Sequence, residues 1–260
     1  MKVIKYLLLA IVCILAGSFY FFRTKSKSKK DGNTLVVGIA AGYAPWVSIN
    51  AQGDYEGFDI DVINAVANTM NKKLVLQDLG SMSALLMALD QNKIDAIIWG
   101  MSITQDRLER MAMMRYQGDT VKSFPLLFWG KIPNNIITIN DMKNMTVCVE
   151  PSSSQDTVLS KYPFINTMPV EKIDDALLNI QYGKADAAFV EPAIAKKFKN
   201  KYPEIQMLDV PLAPENQEFG VGICIRPADK ELIKGVQNAV DALLQNNVIQ
   251  EFEAKWGIGS

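Results

Sequence analysis

Short apolar runs of strand character alternate with helical patterns along this chain, and that alternation constrains the fold most. A first strand is predicted at 34–40, where β-branched residues dominate. A helical pattern then carries Val62, Ala65, Val66 and Met70 on one face. Strand–helix–strand units of this spacing favour a mainly parallel sheet flanked by helices. The sequence therefore predicts an α/β protein.

The remaining predicted elements fall into two series, separated at 115–130 by a segment that we interpret as a crossing between two lobes. Further strands are predicted at 73–77, 94–100, 145–149, 186–190 and 219–225. Further helices are predicted at 83–91, after Thr104, from Ser153, at 172–182, at 192–199, at 229–246 and at 249–256. Ser153 with Asp156 has the spacing of a capping box, which favours a helix start there.

An internal repeat supports two lobes of similar plan. Ala84-Leu85-Leu86 leads to a strand that ends at Gly100, and Ala176-Leu177-Leu178 leads to a strand that ends at Glu191. In α/β sheets, ligands bind beyond the carboxyl ends of parallel strands. Gly100 and Glu191 are therefore predicted to face one ligand cleft.

The stretch 94–107 has the composition of a carboxylate receptor. Gly100 lets a ligand approach the backbone, and Ser102 precedes a predicted helix start whose N–H groups favour an anion. Arg107 can grip a carboxylate through two parallel hydrogen bonds. The stretch predicts binding of a small carboxylate.

Composition excludes several classes of function. The chain contains no histidine, which removes Ser-His and Cys-His nucleophiles and the commonest zinc ligand. Cys148 and Cys224 stand singly, without the spacing of a metal or redox motif, so we predict no metal site and no cofactor. Buried free thiols are the favoured interpretation, and a disulfide between the two cysteines is the alternative. Residues 31–260 hold 20 basic and 28 acidic residues, which makes nucleic acid an improbable partner.

The first 30 residues resemble an export signal. They hold seven basic and no acidic residues, and residues 6–22 form an uncharged apolar run. We predict that 1–30 is a signal peptide, or a membrane anchor with a basic tether. The protein would then be periplasmic or extracytoplasmic, with anchoring to the inner membrane as the alternative.

Five short motifs stand out along the chain: Tyr43-Ala44-Pro45-Trp46, Gly57-Phe58-Asp59-Ile60-Asp61, the run from Asp95 to Arg107, Ser153-Ser154-Gln155-Asp156 and Lys255-Trp256-Gly257. Taken together, they are similar to those of the bacterial extracellular solute-binding proteins, family 3, which deliver polar amino acids to ABC importers. The resemblance covers 34–258 and is strongest to the arginine-binding branch.

The resemblance implies a two-lobed periplasmic-binding-protein fold of type II, with the ligand cleft between lobes. Lobe 1 would comprise 31–118 and 216–260, and lobe 2 would comprise 119–215. The implied function is binding of arginine or another polar or basic amino acid by a monomer, for delivery to the permease subunits of an ABC importer. A periplasmic dehydratase of the arogenate or prephenate type, with Glu191 as its acid, and a membrane-anchored amino-acid sensor are the alternatives.

The resemblance also implies roles for particular residues. Arg107 would bind the ligand α-carboxylate with the Ser102 backbone N–H and with Ser154 of the second lobe, and the adjacent Ser153 is also expected at the ligand site. The Gly100 carbonyl, the Ser102 hydroxyl and Glu191 would bind the α-ammonium group. The walls of the side-chain pocket would be Tyr43, Trp46, Met82 and Trp99. Three positions depart from the family pattern: Ala40 replaces a frequent acid, Trp99 a small residue and Ser152 a glycine.

Overall fold

The computed structural model describes residues 32–258, and the described chain from Leu35 onward forms one compact unit. The predicted signal or anchor, and Cys13 within it, therefore lie outside the described residues. Within 32–258, no helix is long and apolar enough to cross a membrane.

The described chain contains twelve strands and eight α-helices. The strands are β1 Thr34–Ile39, β2 Ser48–Ile49, β3 Tyr55–Glu56, β4 Lys73–Asp78, β5 Ala96–Ile97, β6 Ala112–Val121, β7 Ser123–Trp129, β8 Thr146–Val149, β9 Asn166–Pro169, β10 Ala187–Phe189, β11 Ile205–Pro211 and β12 Glu218–Ile225. The helices are α1 Phe58–Thr69, α2 Met82–Asp90, α3 Gln105–Arg110, α4 Ser154–Leu159, α5 Ile173–Gln181, α6 Pro192–Lys201, α7 Lys230–Gln245 and α8 Val248–Trp256. Short 3-10 helices lie at Ile139–Met142 and Pro214–Asn216.

The first sheet has the strand order β4-β1-β5-β12-β6. Strands β1 and β5 are parallel, with Val37 opposite Ala96. Strand β12 runs antiparallel to β5, with Cys224 opposite Ile97, and antiparallel to β6. Because of this direction, β12 begins at the sheet edge where β1 and β5 end.

The second sheet has the strand order β11-β7-β10-β8-β9. Its parallel part is β10-β8-β9, and β7 and β11 add antiparallel pairs. The predicted α/β class is confirmed, although each sheet is mixed rather than mainly parallel. We call the first sheet with its packed helices the first lobe, and the second sheet with its packed helices the second lobe.

The chain passes between the sheets twice. Lys122 separates β6 of the first sheet from β7 of the second, and 212–217 separates β11 from β12. The predicted crossing at 115–130 contains the first of these passages, and its residues belong mostly to the two long strands β6 and β7. The lobe limits 31–118, 216–260 and 119–215 stay a prediction.

Strands β9 and β11 were missed by the sequence prediction. Strand β9 is largely exposed and ends at Pro169, and β11 exposes the polar Asp209 on the surface, so neither carries an apolar run. Most helices agree with prediction: Val62 and Val66 of α1 are buried, and Ser153 caps α4 by accepting a hydrogen bond from the Asp156 N–H. Cys148 and Cys224 are buried free thiols.

Asp61 joins the start of α1 to the end of α8. Its Oδ2 atom accepts hydrogen bonds from Lys255 Nζ at 2.6 Å and from Trp256 Nε1 at 2.7 Å. The Asp61 side chain is 24% exposed and that of Lys255 is 57% exposed, so the indole bond contributes more than the screened ion pair. Asp61, the second acid of the motif that begins at Gly57, therefore holds the C-terminal motif Lys255-Trp256-Gly257 in place.

Asp61→Ala should lower the free energy of unfolding by about 1–2 kcal/mol, because a helix-to-helix anchor with two hydrogen bonds is lost. Thermal denaturation measures the change. The control is Asp241→Ala on α7, an exposed acid that accepts one hydrogen bond from Gln237 of the same helix. Equal loss of stability in the two variants would contradict the anchoring role.

Candidate functional site

The loop after β1 and the start of α1 are locked together. The N–H groups of Phe58 and Asp59 donate to the carbonyls of Pro45 and Trp46 at 2.9 and 3.1 Å. Gly57 has φ 137°, and a Cβ there would lie 2.1 Å from the Trp46 carbonyl oxygen. Only glycine allows this approach, which places the aromatic loop against α1.

Asp59 ties this assembly to Gly100, just beyond the end of β5. Its Oδ2 atom accepts a hydrogen bond from the Gly100 N–H at 2.5 Å, and Oδ1 accepts one from the Tyr116 hydroxyl at 2.7 Å. Burial raises the pKa of Asp59 to about 7, although both hydrogen bonds lower it. A Cβ at Gly100 would lie 3.1 Å from the rings of Tyr43 and Trp46, so the backbone here touches the aromatic loop.

Arg107 is buried, with 4% of its surface exposed. Its Nη1 donates to the Ser102 carbonyl at 2.8 Å, and its Nη2 donates to the Ser152 carbonyl of the second lobe at 3.3 Å. Thr104 caps α3 by accepting from the Arg107 N–H. Among residues 32–258, no carboxylate lies within 4.0 Å of the Arg107 guanidinium. A buried cation without a direct anionic partner is suited to a carboxylate ligand.

Glu191 lies just beyond the end of β10 and turns its carboxylate inward. The Tyr43 hydroxyl of the first lobe donates a hydrogen bond to Glu191 Oε2. The pKa of Glu191 is raised to about 8, chiefly by burial and then by the charges of Glu218 and Glu150, whereas the Tyr43 bond and the charge on Arg107 oppose the rise. The effect of Arg107 indicates that the cation and the carboxylate share one cleft.

Two more carboxylates face this cleft. Glu150 follows β8, and its pKa is raised to about 7 by burial and by Glu171, with Arg107 opposing. Glu218 begins β12 and is 3% exposed. Burial raises the pKa of Glu218, and Ser154, Arg107 and Ser102 lower it. The surroundings of Arg107 are therefore acidic.

The pocket walls contain buried N–H groups that bond to nothing else in 32–258. They are Nε1 of Trp46, Nε1 of Trp99 and Nε2 of Gln155. The rings of Tyr43 and Trp99 lie 5.1 Å apart between centroids, and Met82 is buried in the same apolar cluster. Unpaired buried donors are costly, so they favour a polar ligand that accepts hydrogen bonds.

The cleft is closed by contacts between the lobes. Besides Tyr43–Glu191 and Arg107–Ser152, the hydroxyls of Ser83 and Ser152 lie 3.2 Å apart. The cavity beside Glu191 measures about 10 Å³, and its lining is Tyr43, Glu150, Gln155, Ile173, Phe189, Val190, Glu191 and Ile194. It is too small for an amino acid, so the lobes must separate for a ligand to enter.

The described body matches a known family. The family model of the bacterial extracellular solute-binding proteins, family 3, covers residues 35–259. The chain belongs to this family. The resemblance, the type II fold and the classification as a binding protein rather than an enzyme are thereby confirmed.

Curated relatives of this solute-binding protein carry amino-acid names. A probable ABC transporter arginine-binding protein of Chlamydia trachomatis serovar D is 28% identical over 254 residues, covering 97% of this chain and 95% of the relative. The ABC transporter arginine-binding protein 1 of Escherichia coli K12 is 24% identical, covering 84% and 88%. An L-cystine-binding protein of Bacillus subtilis is 25% identical, covering 96% and 93%.

Solved structures share the fold. The arginine-bound form of truncated ArgBP from T. maritima has a TM-score of 0.70 at 27% identity, covering 81% of this chain and 96% of that one. A periplasmic binding protein of Salmonella typhimurium, described as highly specific for arginine, has a TM-score of 0.74 at 23% identity, covering 86% and 99%. At that identity the second likeness concerns the fold alone.

Contacts in this solute-binding protein join Tyr43 to Trp99, Gly100 and Glu191, and Arg107 to Ser102. Nine of the ten predicted site residues are buried, and Glu191 is partly exposed. The buried ones are Tyr43, Trp46, Met82, Trp99, Gly100, Ser102, Arg107, Ser153 and Ser154. The Ser153 hydroxyl accepts a hydrogen bond from the Asp156 N–H at 3.1 Å, so it serves the helix cap. Ser152, predicted to replace a glycine, has φ 64°, the conformation that favours glycine.

Sequence reasoning missed Glu150, Gln155 and Glu218 as groups of this cleft. Glu150 could have been found, because it follows β8 as Gly100 follows β5 and Glu191 follows β10. Gln155 stood in a recognised motif without an assigned role. Glu218 had only one signal, a charged residue at the start of a buried strand.

Proposed function

We propose that this protein binds a free amino acid, arginine or another basic or polar one, for delivery to the permease of an ABC importer. The observation that carries the proposal is the pair formed by Arg107 and Glu191, a buried cation and an inward-facing carboxylate from opposite lobes. A free amino acid carries the two complementary charges a few ångströms apart. Such a ligand would link the lobes through charge-assisted hydrogen bonds.

Each end of the ligand has a set of groups. The α-carboxylate is proposed to meet Arg107, Ser102 and Ser154. The α-ammonium group is proposed to meet Glu191 and the Gly100 carbonyl. Once the ligand ammonium group donates a hydrogen bond to the Glu191 carboxylate, the Tyr43 hydroxyl is released from that carboxylate.

The charge balance of the cleft favours a cationic ligand side chain. Glu150, Glu191 and Glu218 face one guanidinium, that of Arg107. Ala40 is fully buried and supplies no charge, so Glu150 is the acid proposed to replace the one absent there. The faces of Trp46 and Trp99 suit a guanidinium through cation–π contact. Curated relatives named as arginine-binding proteins support the same assignment.

Ligand contact with both lobes explains how binding can be signalled to a transporter. Because the ligand touches both lobes only in the closed form, it shifts the population toward that form. We propose that the receptor acts as a monomer outside the cytoplasm, delivered or held there by residues 1–30.

A calorimetric panel tests the function. We expect arginine, lysine and ornithine to bind more tightly than glutamine, and we expect no binding of glutamate, because the cleft is acidic. Thermal denaturation provides a second readout, since a ligand at 100 times its dissociation constant adds about 2.7 kcal/mol of stability. No response to any of the twenty amino acids would contradict the proposal, and preferred binding of glutamate would contradict the charge argument.

A further inference from the structure

The carboxylate of Glu218 already contacts Ser154, one of the groups that we assign to the ligand α-carboxylate. The Ser154 hydroxyl donates to Glu218 Oε1 at 2.5 Å. Hydrogen bonding from the Ser102 side chain and the positive charge of Arg107 also favour the ionised form of Glu218. One internal carboxylate therefore already occupies Ser154 and lies within the electrostatic influence of Arg107.

The backbone directs Glu218 to this position. The Ile103 N–H donates to the Gly220 carbonyl, and the Phe219 N–H donates to the Ile103 carbonyl, both at 2.8 Å. These bonds lay the start of β12 along the segment that contains Ser102. Phe219, the next residue, is 40% exposed, as the alternation of a strand requires when Glu218 points inward.

A β-bulge strengthens this placement. The pairing of β12 with β6 shifts register between Phe219 and Val221. Gly220 has φ 81°, and a Cβ there would lie 2.4 Å from the Gln117 carbonyl oxygen. Bulges re-aim side chains beside functional sites, and this one fixes which side of β12 faces the cleft.

We propose that Glu218 is a specificity-determining residue that competes with the ligand α-carboxylate for Ser154, Ser102 and Arg107. The inference rests on the proposed function, because it assumes that an amino acid binds in this cleft. Two like charges cannot share one buried receptor without a large energetic cost. The α-carboxylate must therefore displace Glu218 from Ser154 before the closed complex forms.

Competition between Glu218 and the ligand α-carboxylate predicts different effects on two cationic ligands that differ only in that carboxylate. Arginine carries the α-carboxylate, and agmatine is the same molecule without it. Glu218→Gln removes the competing charge, so we expect arginine to bind about tenfold more tightly. Agmatine gains nothing from the freed receptor and loses an attractive charge, so its affinity should stay unchanged or fall.

The matched control is Glu150→Gln, which removes another negative charge from the cleft without freeing Ser154. We expect this variant to bind both arginine and agmatine more weakly, as a general loss of acidic charge requires. Isothermal titration calorimetry with both ligands on both variants separates competition from charge. If Glu218→Gln also weakens arginine, Glu218 attracts the ligand and the inference is wrong.

Glu218→Asp covers the case in which Glu218→Gln does not fold. The shorter side chain keeps the charge but withdraws it from Ser154, so arginine should again bind more tightly. Unchanged arginine affinity in a folded Glu218→Asp or Glu218→Gln variant would overturn the inference. If the unaltered protein binds neither arginine nor any other amino acid, the proposed function itself fails, which is a distinguishable result.

Discussion

Replacing Arg107 with alanine should abolish tight amino-acid binding while the protein stays folded. Removing one partner of a buried, hydrogen-bonded charge pair costs roughly 2–5 kcal/mol. The dissociation constant for arginine should then rise about 30- to 5,000-fold. Isothermal titration calorimetry measures the change, and circular dichroism checks the fold.

The neighbouring Arg110 provides the control for this experiment. It lies on the same helix, its side chain is 61% exposed, and it pairs with Asp106 at 2.8 Å on the surface. Arg110→Ala should leave the affinity within about twofold, because exposed ion pairs contribute little. Arg107→Lys keeps the charge but loses the planar fork, so an intermediate affinity is expected. Unchanged arginine binding by Arg107→Ala would refute the site assignment.

The part of the cleft that sequence could predict follows one rule of parallel sheets. Gly100 and Glu191 each follow a strand of a recognisable strand–helix repeat, and such strands end at the same edge of their sheet. The direction of the strand is set by the repeat itself. Residue type and position were therefore enough to place Glu191 opposite the Gly100–Arg107 segment.

Glu218 escaped prediction because its strand runs the other way. In an antiparallel strand the first residue, not the last, lies at the ligand edge, and β12 is antiparallel to β5. Nothing in the residues 218–225 gives that direction; it follows from how the chain returns from β11. Strand β6 was missed for a different reason. Arg115, Gln117 and Asp119 leave it without a continuous apolar run, although it pairs with β12.

The dependence of stability on pH should reveal the acidic interior of this protein. The folded protein should become more stable as the pH falls from 7.5 to 5.5, opposite to the usual behaviour of paired carboxylates. Asp59 illustrates why stability should rise as the pH falls. Burial raises its folded pKa to about 7 from an ordinary 3.8, so the folded state keeps a proton that the unfolded state releases between these values. Stability is then fully present below the unfolded pKa and is lost as the pH rises through the folded one.

Glu150 and Glu191 add to the same trend, because burial raises their pKa values to about 7 and about 8. Each proton held only by the folded state contributes about 1.4 kcal/mol per pH unit, and their mutual coupling makes the total smaller than the sum. Urea denaturation at pH 5.5, 6.5 and 7.5 measures the slope. Asp59→Asn keeps a neutral group between Gly100 and Tyr116 and should flatten the slope, whereas Asp241→Asn, on the exposed face of α7, should leave it intact. If the free energy of unfolding instead decreases as the pH is lowered from 7.5 to 5.5, the cleft carboxylates stay ionised in the folded protein. Arginine would then bind to negative charges that are already present.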